Sequence, residues 1–276
     1  MAARQIMVAV RWCEAEVRDF EWTNTASNLV FLVAAYEGWR VAKKKRLPVE
    51  FVVAEWLLVV VFVGSVLFHG TAGHSWRAEL LDEIPMVLLA HAYLWSVRFL
   101  ISWARLALVV GAVVPVAGVA AYVKWQNYNV FINTLTFQYL LAGSIAFSAA
   151  RRLGAKFQLK RTHFGRASMR TWVLFITSFA AGKAIWEYER HLWRSQTCPT
   201  SAWDPRFWCH AWWHILAATA HHCAMRFHGE LWVARQAELR KELTRLRKFV
   251  KKRSEKYLFD AMSPLHQNRI QLRKLC

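Results

Sequence analysis

Two short patterns stand out in this chain of 276 residues: Ser65 and His69, four apart in one apolar stretch, and His210 and His214, four apart in another. Residues at i and i+4 share one face of a helix, so each pair turns both side chains toward the same neighbour. Three imidazoles drawn from two helices are the donor set of a catalytic zinc, which takes three protein ligands and keeps a fourth position for water. His69, His210 and His214 are neutral donors. The ion therefore retains its double charge and brings the pKa of bound water down toward about 7. Asp82 is the nearby carboxylate, placed to take the proton of that water or to orient a ligand imidazole. Ser65 holds the water or donates to a developing oxyanion. His221 lies two turns beyond His214, about 10 Å along a helix, and is too far to share the ion.

The elements that must position these groups are membrane helices. Hydrophobic residues make up 56% of the chain, with 16 Trp and 17 Phe, a membrane-class composition. Seven segments are apolar enough to span a bilayer: about 25–41, 51–69, 84–101, 106–123, 130–150, 171–189 and 210–229. The expected fold is thus an all-α, polytopic bundle of seven transmembrane helices. The net charge of +19 is not spread evenly. Lys and Arg concentrate after the first, third and fifth spans and in the tail, which by the positive-inside rule makes the C-terminus cytosolic and the N-terminus lumenal. In that orientation Ser65, His69, Asp82, His210 and His214 all reach the same non-cytoplasmic end of the bundle. Ionisable groups inside a membrane are costly and mark function by default.

Three regions follow: a lumenal acidic N-terminal segment, 1–24; the seven-span domain, 25–229; and a basic cytosolic helical tail, 230–276. In the tail Leu239, Leu243, Leu246 and Val250 recur at helical spacing among basic residues, the pattern of a helix lying on anionic headgroups. No zinc-finger, RRM or helix-turn-helix pattern is present, so the positive charge does not indicate a nucleic-acid partner. The first apolar run is too short, and too closely followed by Arg11, Glu14 and Glu16, for a cleavable signal peptide. Lys183, deep in the sixth span, has Glu37 and Glu55 as candidate partners.

The runs Trp12-Cys13-Glu14, Asn24-Thr-Ala-Ser27-Asn28, Ser65-x-x-Phe-His69, Leu81-Asp82-Glu83-Ile-Pro85-Met86 and His210-Ala-Trp-Trp-His214 resemble, in order, the alkaline ceramidases. The resemblance covers roughly residues 11 to 230 and leaves the tail outside it. It implies a seven-helix membrane hydrolase of the superfamily that includes the adiponectin receptors. Such an enzyme cleaves the amide of ceramide into sphingosine and fatty acid in endoplasmic reticulum or Golgi membranes. The resemblance also implies that His69, His210 and His214 hold zinc, with Ser65 and Asp82 around the catalytic water. A receptor in which zinc is structural is the rival reading; a closed site would need a fourth protein ligand, for which His74 is the candidate. Another lipid hydrolase of the superfamily is a second rival.

The resemblance further implies an N-terminal calcium site, here drawn from Trp12, Glu14, Glu16 and Glu21. The chain departs from that pattern at Arg11 and Glu16, where the family carries an aspartate and an asparagine. Two arrangements stay open: the carboxylates gather calcium through hard oxygen ligands, or Arg11 pairs with them in place of the ion. Cys13 and Cys198 both fall on the lumenal side. A bridge between them would tie the N-terminal segment to the loop before the seventh helix, in a compartment that permits disulfides.

Overall fold

The computed structural model describes residues 11–98, 104–157 and 163–274. The first ten residues of the expected N-terminal segment, and the last two of the tail, lie outside them. Among the described residues all regular structure is helical: a short α1 (Trp22–Ser27) and seven long helices, α2 (Leu29–Lys45), α3 (Val49–Gly70), α4 (Trp76–Val97), α5 (Ala104–Trp125), α6 (Tyr128–Phe157), α7 (His163–Arg194) and α8 (Cys209–Lys274). The Val49–Gly70, Trp76–Val97 and Tyr128–Arg152 helices are long and apolar enough to cross a bilayer, and Val109–Trp125 is apolar but shorter. Large apolar side chains such as Val33, Trp56, Val116 and Leu140 face outward, which in an integral membrane protein is the surface that meets lipid.

Residues 1–232 form one compact unit and residues 233–276 a second. In the second, Leu243, Leu246, Phe249 and Val250 are exposed, and Arg235 pairs with Glu238.

The first expected span is broken at Asn28. Asn28 Nδ2 and Ser27 Oγ both donate to the carbonyl of Asn24, at 2.8 and 2.9 Å. Side chains thus occupy the acceptor that a continuous helix would bond through its backbone, a recognised cause of helix breaks. At the end of α2, Arg46 adopts a left-handed conformation while its amide and that of Leu47 return to the last turn, a Schellman-type stop. Pro48 then opens α3 after only a short link.

The third expected span begins earlier than hydropathy suggests. Ser75 caps α4 by accepting from the amide of Ala78, so Asp82 lies in the second turn of the helix and not in the preceding loop. The charges of that turn are concealed by burial: Glu79 and Glu83 are buried, and Tyr122 of α5 donates to Glu79 at 3.0 Å. α4 packs on α3, α5 and α6.

α3 and α4 touch at Gly64. A Cβ built there would stand 2.3 Å from the carbonyl oxygen of Leu81 and 2.5 Å from the amide nitrogen of Asp82. Backbone cannot yield as a flexible side chain can, so Gly64→Ala is expected to cost about 1–3 kcal/mol by overpacking and to part Ser65 from Asp82. Its melting temperature and hydrolysis rate should both fall. Gly70→Ala, which meets only Phe20 at 3.5 Å, is the matched control and should leave both near wild type. Equal behaviour of the two variants would show that the close approach does not matter.

Deeper in the bundle a polar centre joins three helices. His221 of α8 lies 2.8 Å from Glu55 of α3 through Nε2 and 2.6 Å from Tyr93 of α4 through Nδ1. Lys183 is paired with Glu187, one turn along its own helix, and not with Glu37 or Glu55.

Candidate metal centre and active site

The helices bring the expected residues to one place. α3 carries Ser65 and His69 one turn apart, α4 carries Asp82, and the first two turns of α8 carry His210 and His214. A 3-10 turn, Pro205–Trp208, capped by Asp204, starts α8 where it must start for His210 to face inward. The three imidazoles are buried, with ring centroids 4.8 Å (His69–His210), 5.3 Å (His69–His214) and 4.6 Å (His210–His214) apart. Their ligand nitrogens lie within 4.8 Å of one another, and no other group of three or more His, Cys, Asp or Glu among the described residues is so placed.

Two of the rings are fixed from behind through Nδ1, and the third faces a carboxylate. His69 Nδ1 lies 2.8 Å from Glu21 Oε2, His214 Nδ1 lies 2.7 Å from Ser27 Oγ, and His210 Nδ1 lies 3.5 Å from Glu189 Oε2. A partner on one nitrogen sets the tautomer and orientation that presents the other to a metal. Nε2 is thereby the nitrogen left for an ion on His69 and His214. His69 Nε2 is buried without a hydrogen-bond partner, a condition that costs about 1–3 kcal/mol unless something fills the position. Three buried imidazoles, two of them backed, with His69 Nε2 and His210 Nδ1 both unpartnered, fit a metal ion. His74, the candidate fourth ligand, is exposed and pairs with Arg11 at 3.3 Å, so three protein ligands leave a coordination position open.

Asp82 and Ser65 stand opposite the imidazoles, within hydrogen-bond reach of each other. Both line a small cavity of about 20 Å³ shared with His210, His214, Trp12 and Met86. A second cavity of about 20 Å³, walled by Leu58, Leu89, Leu135, Phe179 and His221, shares Phe31, Val61, Met86 and Trp213 with the first. Leu58, Leu89 and His221 each stand seven residues from Ser65, Asp82 and His214 respectively, so this apolar space lies about 10 Å further along all three helices.

The N-terminal segment closes the chamber. The Trp12 indole is buried, its centroid 4.0 Å from that of His210. Cys13 is joined to Cys198 by a disulfide, and its amide donates to Glu189 Oε1 at 3.1 Å. Glu189, invisible to a motif search, was signalled only as a carboxylate at the end of an apolar span. Ser27 was part of a recognisable run, but nothing in the spacing tied it to a histidine 187 residues away.

The carboxylates named for calcium form no group of three: Glu14 and Glu21 meet across Asn24, and Glu16 stands apart from them. Glu14 accepts from the amides of Thr23 at 3.0 Å and Asn24 at 2.9 Å, and Arg18 lies 3.3 Å away. Glu21 is engaged by His69 and by Asn24 Nδ2 at 2.7 Å. Glu16 accepts from Trp193 Nε1 at 3.0 Å and stands 3.9 Å from Arg11. Calcium takes six to eight oxygen ligands, and here most of the oxygens that would supply them already face N–H donors. Trp12, Glu14, Glu16 and Glu21 therefore do not fit that ion.

The chain is similar to two curated alkaline ceramidases. It is 36% identical to alkaline ceramidase YPC1 of Saccharomyces cerevisiae over 91 residues, 32% of this chain and 28% of that protein. It is likewise 36% identical to alkaline ceramidase 3 of Mus musculus over 80 residues, 28% of this chain and 29% of the relative. The aligned stretches thus span less than a third of either relative. The ceramidase family model matches residues 7–251, most of the chain, and takes in all the site residues above: this chain belongs to the ceramidase family.

Proposed function

We propose that the protein is a zinc-dependent amide hydrolase that cleaves ceramide into a sphingoid base and a free fatty acid. The observation that carries this reading is the set of three buried imidazoles, two of them hydrogen-bonded through Nδ1 and the third beside Glu189, sharing one cavity with a serine and a carboxylate. His69, His210 and His214 would hold the ion. When bound, zinc supplies a Lewis acid and an acidified water at neutral pH.

The chain's own groups do the rest. Asp82 receives the proton of the attacking water and passes it to the leaving amine. Ser65 donates to the oxygen of the amide carbonyl as negative charge grows there. Trp12 and the disulfide-anchored segment keep bulk water from the lumenal end. Ceramide enters sideways from the bilayer, and its chains occupy the apolar space continuous with the chamber, where Phe31, Leu58, Leu135 and Phe179 offer only hydrocarbon and aromatic surface.

The same reading makes the N-terminus lumenal and the C-terminus cytosolic, in endoplasmic reticulum or Golgi membranes. Between residues 233 and 252 the tail would rest its exposed Leu243, Leu246 and Val250 in the headgroup layer, with its lysines and arginines on anionic lipid. Its support is sequence composition and the exposure of that apolar stripe.

The test is mass-spectrometric detection of free sphingoid base released from ceramides by the purified protein, with the metal content of the same sample. Release with about one zinc per chain is expected. Zinc without release from any ceramide would move the activity to another lipid, and a metal-free yet active protein would remove zinc from the reaction.

A further inference from the structure

We infer that Arg18 is the built-in cation of the N-terminal segment, standing where calcium would otherwise be required, and that this chain assembles its site without calcium. Glu14 is fully buried, and its nearest cation is the Arg18 guanidinium, 3.3 Å from Oε1. The same guanidinium lies over the ring of buried Phe207, 5.2 Å from its centroid. Phe207 belongs to the 3-10 turn that starts α8. One side chain thus ties the N-terminal segment to the entrance of the helix that carries His210 and His214.

Glu14 in turn holds the amides of Thr23 and Asn24, at the start of the short helix that presents Ser27 to His214. Glu21, immediately before that helix, backs His69. Arg18 therefore acts on the imidazoles through Glu14 and the Asn24 it holds, whose side chain bonds Glu21, and is a positioning residue. Arg11, the residue whose charge first suggests displacement of an ion, faces Glu16 and His74 at the periphery. Glu21 Oε1 and Asn24 Oδ1 are buried without partners, as are Thr25 Oγ1, Asn28 Oδ1 and Glu189 Oε2 beside the segment. Apart from the imidazole trio, however, no three His, Cys, Asp or Glu donors gather among the described residues, and a guanidinium beside Glu14 repels a second cation.

The experiment uses zinc-loaded, full-length protein and reads the melting temperature with and without millimolar calcium, together with terbium luminescence as a direct probe of calcium-type sites. Wild type is expected to show no calcium-dependent shift and no saturable terbium signal, and to keep its activity in a calcium chelator that spares zinc. Arg18→Gln leaves Glu14 buried beside amides alone. Because Arg18 is 39% exposed, screening discounts the pair, and a drop of about 3–6 °C is expected. Arg18→Lys should recover most of it. Saturable calcium or terbium binding by wild type at micromolar concentration would overturn the inference, and so would an unchanged melting temperature in Arg18→Gln. Neither outcome depends on which lipid is hydrolysed.

Discussion

Asp82→Asn is expected to lower the rate of ceramide hydrolysis by about 10²–10⁴-fold, the range assigned to a positioned acid–base group, while the zinc content stays that of wild type. The side chain stands within hydrogen-bond reach of Ser65 and opposite the imidazole trio, in the wall of the same chamber. Asparagine has nearly the same shape and keeps a hydrogen bond to Ser65, so packing along α4 is preserved. What it loses is the capacity to accept a proton from water and return it to the leaving nitrogen. The loss should fall on kcat and leave KM little changed, because the apolar cavity proposed for the substrate chains is untouched. Measured rates of sphingoid-base release and metal analysis of the same preparation check both halves. A variant that retains zinc and wild-type turnover would show that Asp82 carries no proton, whereas parallel loss of zinc would recast it as a residue that organises the ligands.

The parts of this site that were legible in the sequence are those written at helical spacing. Ser65 with His69, and His210 with His214, declare themselves as pairs because i and i+4 share a face whatever the bundle does. The seven helices were legible as apolar runs, although their ends were not. α4 starts well before Pro85 because Glu79 and Glu83 are buried and Tyr122 donates to Glu79, and hydropathy counts such carboxylates as solvent-facing. Lys183 was sought across the bundle when its partner was Glu187, an i,i+4 neighbour that the sequence already offered. The backing of the imidazoles was the least legible part. Glu21 reaches His69 across 48 residues and Glu189 faces His210 from the end of α7. Nothing local marks either, and Glu21 was read as a calcium ligand because the family resemblance placed it in that site. Gly64 is silent for the same reason: its function is the nearness of Leu81, which exists only once α3 and α4 are packed.

Removing a ligand and removing its support should differ in degree, and that difference tests the metal centre itself. His214→Ala deletes one of three nitrogens within 4.8 Å of each other and is expected to abolish both stoichiometric zinc and detectable hydrolysis, since two imidazoles cannot close a site that needs three protein ligands. Ser27→Ala leaves the imidazole in place and removes only the oxygen 2.7 Å from His214 Nδ1. Loss of such a partner typically weakens metal binding by about 10–100-fold, so this variant should be active at high zinc and fail as free zinc is lowered. Glu21→Gln, which keeps the shape but not the charge facing His69 Nδ1, should behave in the same graded way. Zinc titrations followed by activity, with the melting temperature confirming that each variant is folded, separate the two classes. If Ser27→Ala and His214→Ala lost zinc equally, His214 would not be an independent ligand backed from behind. If His214→Ala kept a full complement of zinc, the ion would lie elsewhere and the geometry of the trio would serve packing alone.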